Sequence, residues 1–316
     1  DLRTNPAGIA LPVYVPPGLG EHVPASFSRT PDMMTAFAER LSEPFPWDRY
    51  AQLVVHNFVA GGMENTSATT LHDTALYSAG DTDDHDLDGL IAHELAHQWF
   101  GDLLTCNTWE HIWLNEGFAT FLETLWYETR DQSGPNAFGT EPGRDAYLLS
   151  MRGKFDNVLA SDRGTTPDIP GMASKVYREP WDVFGRAASP YPKGASILHM
   201  LRVKLGDDVF FKAVALYIDR FKFNTVETAD LRRTLEEVSG ESLEQFFAQW
   251  VFRPGIPRCR VNVAWNSTDR ALRVDLTQTQ PINADNPAFD FSLPIAIRLT
   301  PQNPPIVTTL KVQGRD

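Results

Sequence analysis

Cysteine is scarce here, with Cys106 and Cys259 the two in 316 residues. Their wide separation excludes a disulfide framework and a cysteine-based zinc motif, and fixes no redox compartment. An excess of positive charge is also lacking. The formal net charge of -13 argues against nucleic acid or an anionic membrane as a partner, while leaving open a small cationic group in a pocket. No apolar run approaches the roughly 18–20 residues that span a bilayer, and Asp1-Leu2-Arg3-Thr4 does not read as a signal peptide. Repeats and low-complexity stretches are missing too. What is present, 42% hydrophobic and 22% charged residues, is enough for one large core and a smaller second one in an ordered, soluble protein. A first residue of Asp rather than Met leads us to expect a piece of something longer.

The stretch from Asn5 to Arg29 is rich in Pro and Gly around an apolar run, Ile9 to Val15, and predicts a strand followed by an extended connection. Thr30-Pro31-Asp32 supplies helix-start chemistry for a helix to about Leu41, and the apolar run Tyr50 to Phe58 predicts a strand broken by Gly61-Gly62. The acidic cluster Asp81 to Asp88 precedes a helical pattern that continues to about Leu104. Taken alone, that cluster is a solvated cap at the helix N-terminus. Further helices are expected at 114–129, 146–159, 192–205, 208–221, 229–238 and 243–250. After Pro254-Gly255-Ile256-Pro257 the texture changes to β-rich segments at 259–265, 271–277, 289–299 and 306–312, a small all-β module.

His93-Glu94-Leu95-Ala96-His97 carries the chemistry. On a helix it places two imidazoles one turn apart on one face, within reach of a single metal ion, with Glu94 beside them as a base for water. Eighteen residues after His97 comes Glu116, near the start of the next expected helix. Two imidazoles and a carboxylate with one open position are the ligand set of catalytic rather than structural zinc. The competing reading of Glu116 is an acid placed to favour a helix N-terminus.

With these residues the chain resembles the gluzincin aminopeptidases, the family of aminopeptidase N and leukotriene hydrolase. His93 to Asp102 and Trp113-Leu114-Asn115-Glu116-Gly117-Phe118-Ala119 are similar to the family's two zinc blocks. Gly61-Gly62-Met63-Glu64-Asn65 resembles its Gly-x-Met-Glu-Asn strand. Alone this segment would be a turn or bulge. The resemblance implies that Glu64 binds the α-amine of a peptide and that Gly61 and Gly62 admit its backbone, with Met63 and Asn65 part of the same surface. Tyr191-Pro192-Lys193-Gly194-Ala195-Ser196 is similar to the family's Tyr-x-Lys-Gly-Ala segment and implies that Tyr191 stabilises the transition state, with Tyr177 as the nearest rival.

The implied fold is α+β: a thermolysin-like, mostly helical catalytic domain with a small mixed sheet, residues 13–255, then a small all-β sandwich-like domain, residues 256–316. Residues 1–12 would be a remnant or linker from a missing N-terminal β-domain. The implied activity is that of a zinc metallo-aminopeptidase with one Zn2+ held by His93, His97 and Glu116, acting on peptides with a free N-terminus. Alternatives are an endopeptidase of the same fold, a catalytically weak binding fragment, and a lipid epoxide hydrolase. Glu64 discriminates the first. Nothing in the sequence selects the last.

Overall fold

The computed structural model describes residues 2–4, 7–78, 87–130, 143–164, 169–284, 286–298, 300 and 305–315. Strands β1 (Leu2–Thr4), β2 (Ala10–Tyr14), β3 (Ala51–Val55), β4 (Gly62–Met63) and β5 (Ala68–His72) form a mixed sheet in the order β1-β2-β3-β5-β4. The β2–β3 and β3–β5 pairs are parallel, and β1–β2 and β4–β5 are antiparallel. The short strand β4 therefore forms one edge of this sheet.

The helices are α1 (Val23–Phe27), α2 (Thr30–Leu41), α3 (Asp88–Ala96), α4 (Trp113–Arg130), α5 (Arg144–Ser161), α6 (Pro180–Phe184), α7 (Pro192–Leu205), α8 (Asp207–Phe221), α9 (Thr228–Ser239) and α10 (Glu244–Phe247). Their ends follow local chemistry. Pro31 and Pro192 occupy the first turns of α2 and α7, where the missing N–H has no intrahelical partner to lose. A capping box of Glu227 and Asp230 opens α9, and Gly240 in the left-handed region closes it. Helix α4 is buried along nearly its whole length, from Trp113 to Glu128. It packs with α3, α5 and α7 around the main core.

Three sequence expectations need correction. The helix expected to reach Leu104 stops at Ala96, because the chain turns back through Gly101 at φ 138. There Asp102 N–H donates to the His97 carbonyl and Leu104 N–H to that of Trp99. Trp99, Phe100, Leu103 and Leu104 are all buried, so this apolar run fills the core rather than striping a helix. It leads into β6 (Leu104–Cys106), which pairs in parallel with β7 (Asn224–Val226). The second correction concerns the acidic cap. Residues 81–86 lie outside the described residues, but Asp88 is buried rather than solvated. Its Oδ2 accepts from Arg29 (2.7 Å), Trp126 Nε1 (2.9 Å) and Arg130 (3.0 Å), which ties the start of α3 to both neighbouring helices. Third, the expected extended connection before Arg29 contains α1.

Beyond Gly255, β8 (Cys259–Asn266) pairs with β9 (Ala271–Gln278), and β10 (Phe291–Ile297) with β11 (Ile306–Val312). Each is an antiparallel ribbon, and among the described residues neither is hydrogen-bonded as a sheet to the other. The Gln249 side chain brackets the backbone of Asp290 with bonds of 2.6 and 3.1 Å, and the Trp250 ring lies 5.0 Å from that of Phe289, joining this part to the helices.

Candidate metal centre

Helix α3 delivers His93 and Glu94, and His97 follows at its C-cap. Glu116 comes from the first turn of α4. His93 Nε2, His97 Nε2 and Glu116 Oε2 form a nearly equilateral triangle with edges of 3.2, 3.3 and 3.2 Å. A tetrahedral ion with bonds of about 2.0–2.1 Å requires donors about 3.3–3.4 Å apart, so the triangle already has the span of a zinc site. These three form the one group of metal-ligating side chains found among the described residues.

The hydrogen bonding around the triangle points the same way. His97 Nδ1–H donates to the Phe100 carbonyl at 2.9 Å, which leaves the lone pair of Nε2 facing inward. Phe100 is held in turn by its stack on Phe118, two residues beyond Glu116, with ring centroids 4.0 Å apart. Glu116 Oε2 is buried and accepts no well-aligned hydrogen bond from the described residues. Three donor atoms thus converge on one point, and a cation that displaces the imidazole protons would satisfy all three. The charge balance agrees. Burial opposes a positive charge on either imidazole, yet Glu116 outweighs it and raises His93 to about 10 and His97 to about 9. Burial likewise opposes ionisation of Glu116, and the two imidazoles overcome it, holding that carboxyl well below its usual range.

Glu94 is buried beside the triangle, with Oε2 unpartnered among the described residues. Burial pushes its carboxyl up to about 7, against the pull of both imidazoles. Gly62 lies directly over it: a β-carbon there would overlap the Glu94 carboxyl. This close approach, rather than an unusual φ, is what requires glycine at position 62. Gly61 has ordinary contacts with Leu90, and Met63 is exposed. Glu64 follows β4 and brings its Oε1 to 3.9 Å from the His97 ring. Asn65 is exposed and accepts from Thr70 Oγ1.

Tyr191 stands at the N-cap of α7, where its hydroxyl donates to Glu116 Oε1 at 3.0 Å and its ring stacks on His93 at 5.9 Å. The rival Tyr177 has no such bond to Glu116. Burial and the neighbouring Glu116 charge both push the Tyr191 hydroxyl far above its ordinary pKa, so it stays protonated. What brings Tyr191 and Glu116 together is a glycine pair. Gly117 of α4 and Gly194 of α7 meet so closely that a β-carbon on Gly194 would lie 2.7 Å from Gly117 Cα.

Residues 25–250 match the Peptidase family M1 domain. The chain belongs to the M1 peptidase family. Aminopeptidase N of Streptomyces lividans is 33% identical over 253 residues, covering 78% of this chain and 28% of that protein. The mitochondrial Aminopeptidase 2 of Saccharomyces cerevisiae is 31% identical over 258 residues, 79% of this chain and 25% of that protein. Probable aminopeptidase 1 of Sulfurisphaera tokodaii is 31% identical over 229 residues, 72% and 28% respectively. This M1 chain thus spans about a quarter of the length of the curated relatives it matches. No helix among its described residues is long and apolar enough to cross a membrane.

Sequence reasoning missed part of this M1 site. Glu123 places Oε2 at 3.8 Å from His93 Nδ1, and Lys154 of α5 holds its other oxygen at 2.6 Å. Burial would raise the Glu123 carboxyl, but His93 and Lys154 keep it low and ionised. Glu123 follows Glu116 by seven residues, two helical turns along the same face, and that spacing was legible. Lys154 and the Gly117–Gly194 contact join distant segments and had no local signal.

Proposed function

We propose that this M1 chain carries the zinc centre of an aminopeptidase, which hydrolyses the first peptide bond of substrates with a free N-terminus. The observation that carries the reading is the donor triangle of His93, His97 and Glu116 with a buried carboxylate, Glu94, beside it. The names of the relatives, all aminopeptidases, support it.

Zinc held by His93, His97 and Glu116 would supply a Lewis acid for the scissile carbonyl and acidify water toward a pKa of about 7. Glu94 takes the proton of the attacking water and later returns it to the leaving amine. Its place beside the metal ligands puts it within reach of a water bound there. Tyr191, protonated at every relevant pH, offers its O–H to the carbonyl oxygen as negative charge develops there. Glu64 receives the substrate ammonium in a charge-assisted hydrogen bond. The outer edge of β4 at Gly62, flanked by Gly61, whose carbonyl is taken by His72 N–H, and continued by Met63 and Asn65, lets the peptide backbone lie alongside.

With this reading go a thermolysin-like catalytic unit over residues 13–255 and a β-sandwich-like module over 256–316; strands β1 and β2 join residues 2–4 and 10–12 to the sheet of the first rather than leaving 1–12 as a linker. Zinc analysis combined with hydrolysis of aminoacyl-arylamides and their N-acetylated forms tests the proposal. One zinc per chain and cleavage restricted to the free amines are expected. Equal cleavage of blocked or internal bonds would replace it with the endopeptidase reading.

A further inference from the structure

Glu64 lies in the link between β4 and β5, at the mouth of a tight turn. Ala68 N–H closes that turn onto the Asn65 carbonyl at 2.8 Å. Its third residue, Ser67, has a φ of 61, a left-handed conformation that suits glycine or asparagine at this place and is unfavourable for serine. Something outside the turn must hold it. Gln98, fully buried and next in sequence to His97, does so at both ends. Its Nε2 donates to the Glu64 carbonyl at 3.2 Å, and its Oε1 accepts from Ser67 N–H at 2.7 Å. The Asp102 side chain adds a contact at Thr66. The backbone of Gln98 is pinned as well, since Trp47 Nε1 donates to its carbonyl at 3.3 Å.

A primary amide is the side chain that suits this task, because it carries a donor and an acceptor on one rigid plane. A methionine of similar length would leave the Glu64 carbonyl and the Ser67 N–H without partners, and a glutamate would keep the acceptor but lose the donor. The bracketed segment carries Glu64, and the residue that brackets it adjoins His97. Gln98 therefore joins the carboxylate to the metal triangle by a short, rigid path.

We infer that Gln98 is a positioning residue that fixes the separation between the Glu64 carboxylate and the metal centre, and so sets which peptide bond is presented. The inference rests on the aminopeptidase reading, in which Glu64 receives the substrate amine. Residues in an extended peptide are spaced about 3.3 Å apart, so an anchor free to wander over a comparable distance no longer selects the first bond. Gln98 touches no substrate. It acts through Glu64.

The test uses the zinc-loaded chain and two probes, an α-amino acid hydroxamate and its N-acetyl derivative, with affinities measured by calorimetry. Binding is read directly, so a low turnover does not obscure the result. The wild type is expected to prefer the free amine. Q98M and Q98E should each reduce that preference about tenfold or more, the scale of a lost buried hydrogen bond. Zinc content should be unchanged, and affinity for the acetylated probe should stay within about twofold. E64A should abolish the preference, and Q98M should remove nothing more in the E64A background. Should Q98M fail to fold, Q98E decides. Retention of the preference in Q98M and Q98E, or an equal loss of affinity for both probes, overturns the role of Gln98 while leaving Glu64 as the anchor. Retention of the preference in E64A overturns the anchor itself, and the role of Gln98 with it.

Discussion

The contact between Gly117 and Gly194 gives a prediction whose size can be worked from the structure. In Gly194→Ala the new β-carbon would sit 2.7 Å from Gly117 Cα and 3.5 Å from both Gly117 N and the Trp113 carbonyl. Carbon atoms in good contact are about 3.5–4.0 Å apart, so α4 and α7 must separate by about 1 Å. Both partners are helix backbone, and neither can swing aside as a side chain could. Overpacking of this kind costs about 1–3 kcal/mol. The better helix propensity of alanine offsets about 1 kcal/mol of that, and we expect a net loss of up to about 2 kcal/mol. Catalysis should suffer more than stability. Glu116 precedes Gly117 and Tyr191 lies three residues before Gly194, so the same opening stretches their 3.0 Å hydrogen bond. A displacement near 1 Å at a reacting group lowers turnover about a hundredfold. Urea denaturation, zinc content and the rate on an aminoacyl-arylamide measure the three quantities separately. Wild-type stability together with wild-type turnover in Gly194→Ala would refute the close helix approach and the placement of Tyr191 that depends on it.

Glu94→Gln should retain zinc and lower turnover by at least about a hundredfold. In the metal-free protein the same change should stabilise at pH 8: a carboxyl raised from 4.5 to about 7 binds its proton more tightly when folded, so its stabilising effect is complete below about 4.5 and is lost as pH rises through about 7. Denaturation of both proteins at pH 4.5 and pH 8 checks that sign. Tyr191→Phe should reduce kcat with a smaller effect on KM, because its hydroxyl meets a charge that exists only as the reaction proceeds; unchanged kcat would remove Tyr191 from the mechanism. His97→Ala should lose zinc on mild dialysis. In the wild type, zinc uptake at pH 7 should release more than one proton per ion, since His93 and His97 both hold theirs to well above 7; calorimetry in buffers of differing ionisation enthalpy measures this.

The donor triangle was legible in the sequence because its parts are local. Two imidazoles one turn apart and a carboxylate at the start of a helix need little beyond helical geometry to converge. The bounds of α7 were legible for the same reason, with Pro192 opening it and Gly206 following its last residue. The overrun of α3 to Leu104 shows where such reasoning fails. Trp99, Phe100, Leu103 and Leu104 continue an apolar pattern, but a buried turn and a buried helix have the same composition, and only the packing distinguishes them. Strands β5 to β7 were missed because they are short and partly polar, and pairing with distant segments defines them. The burial of Asp88 was hidden likewise, because Arg29 and Arg130 lie 59 and 42 residues away.

At Gly62 the wall against the Glu94 carboxyl is main chain, with no side chain at that position. Such a wall presents N–H and C=O groups, and every peptide carries the complementary set whatever its side chains. Under the aminopeptidase reading, recognition along this edge is indifferent to sequence. Selectivity among substrates must then arise where side chains rather than backbone meet the peptide. Changing the preferred amino acid would not require touching the strand, and a side chain placed on it would displace the base before it could discriminate between substrates.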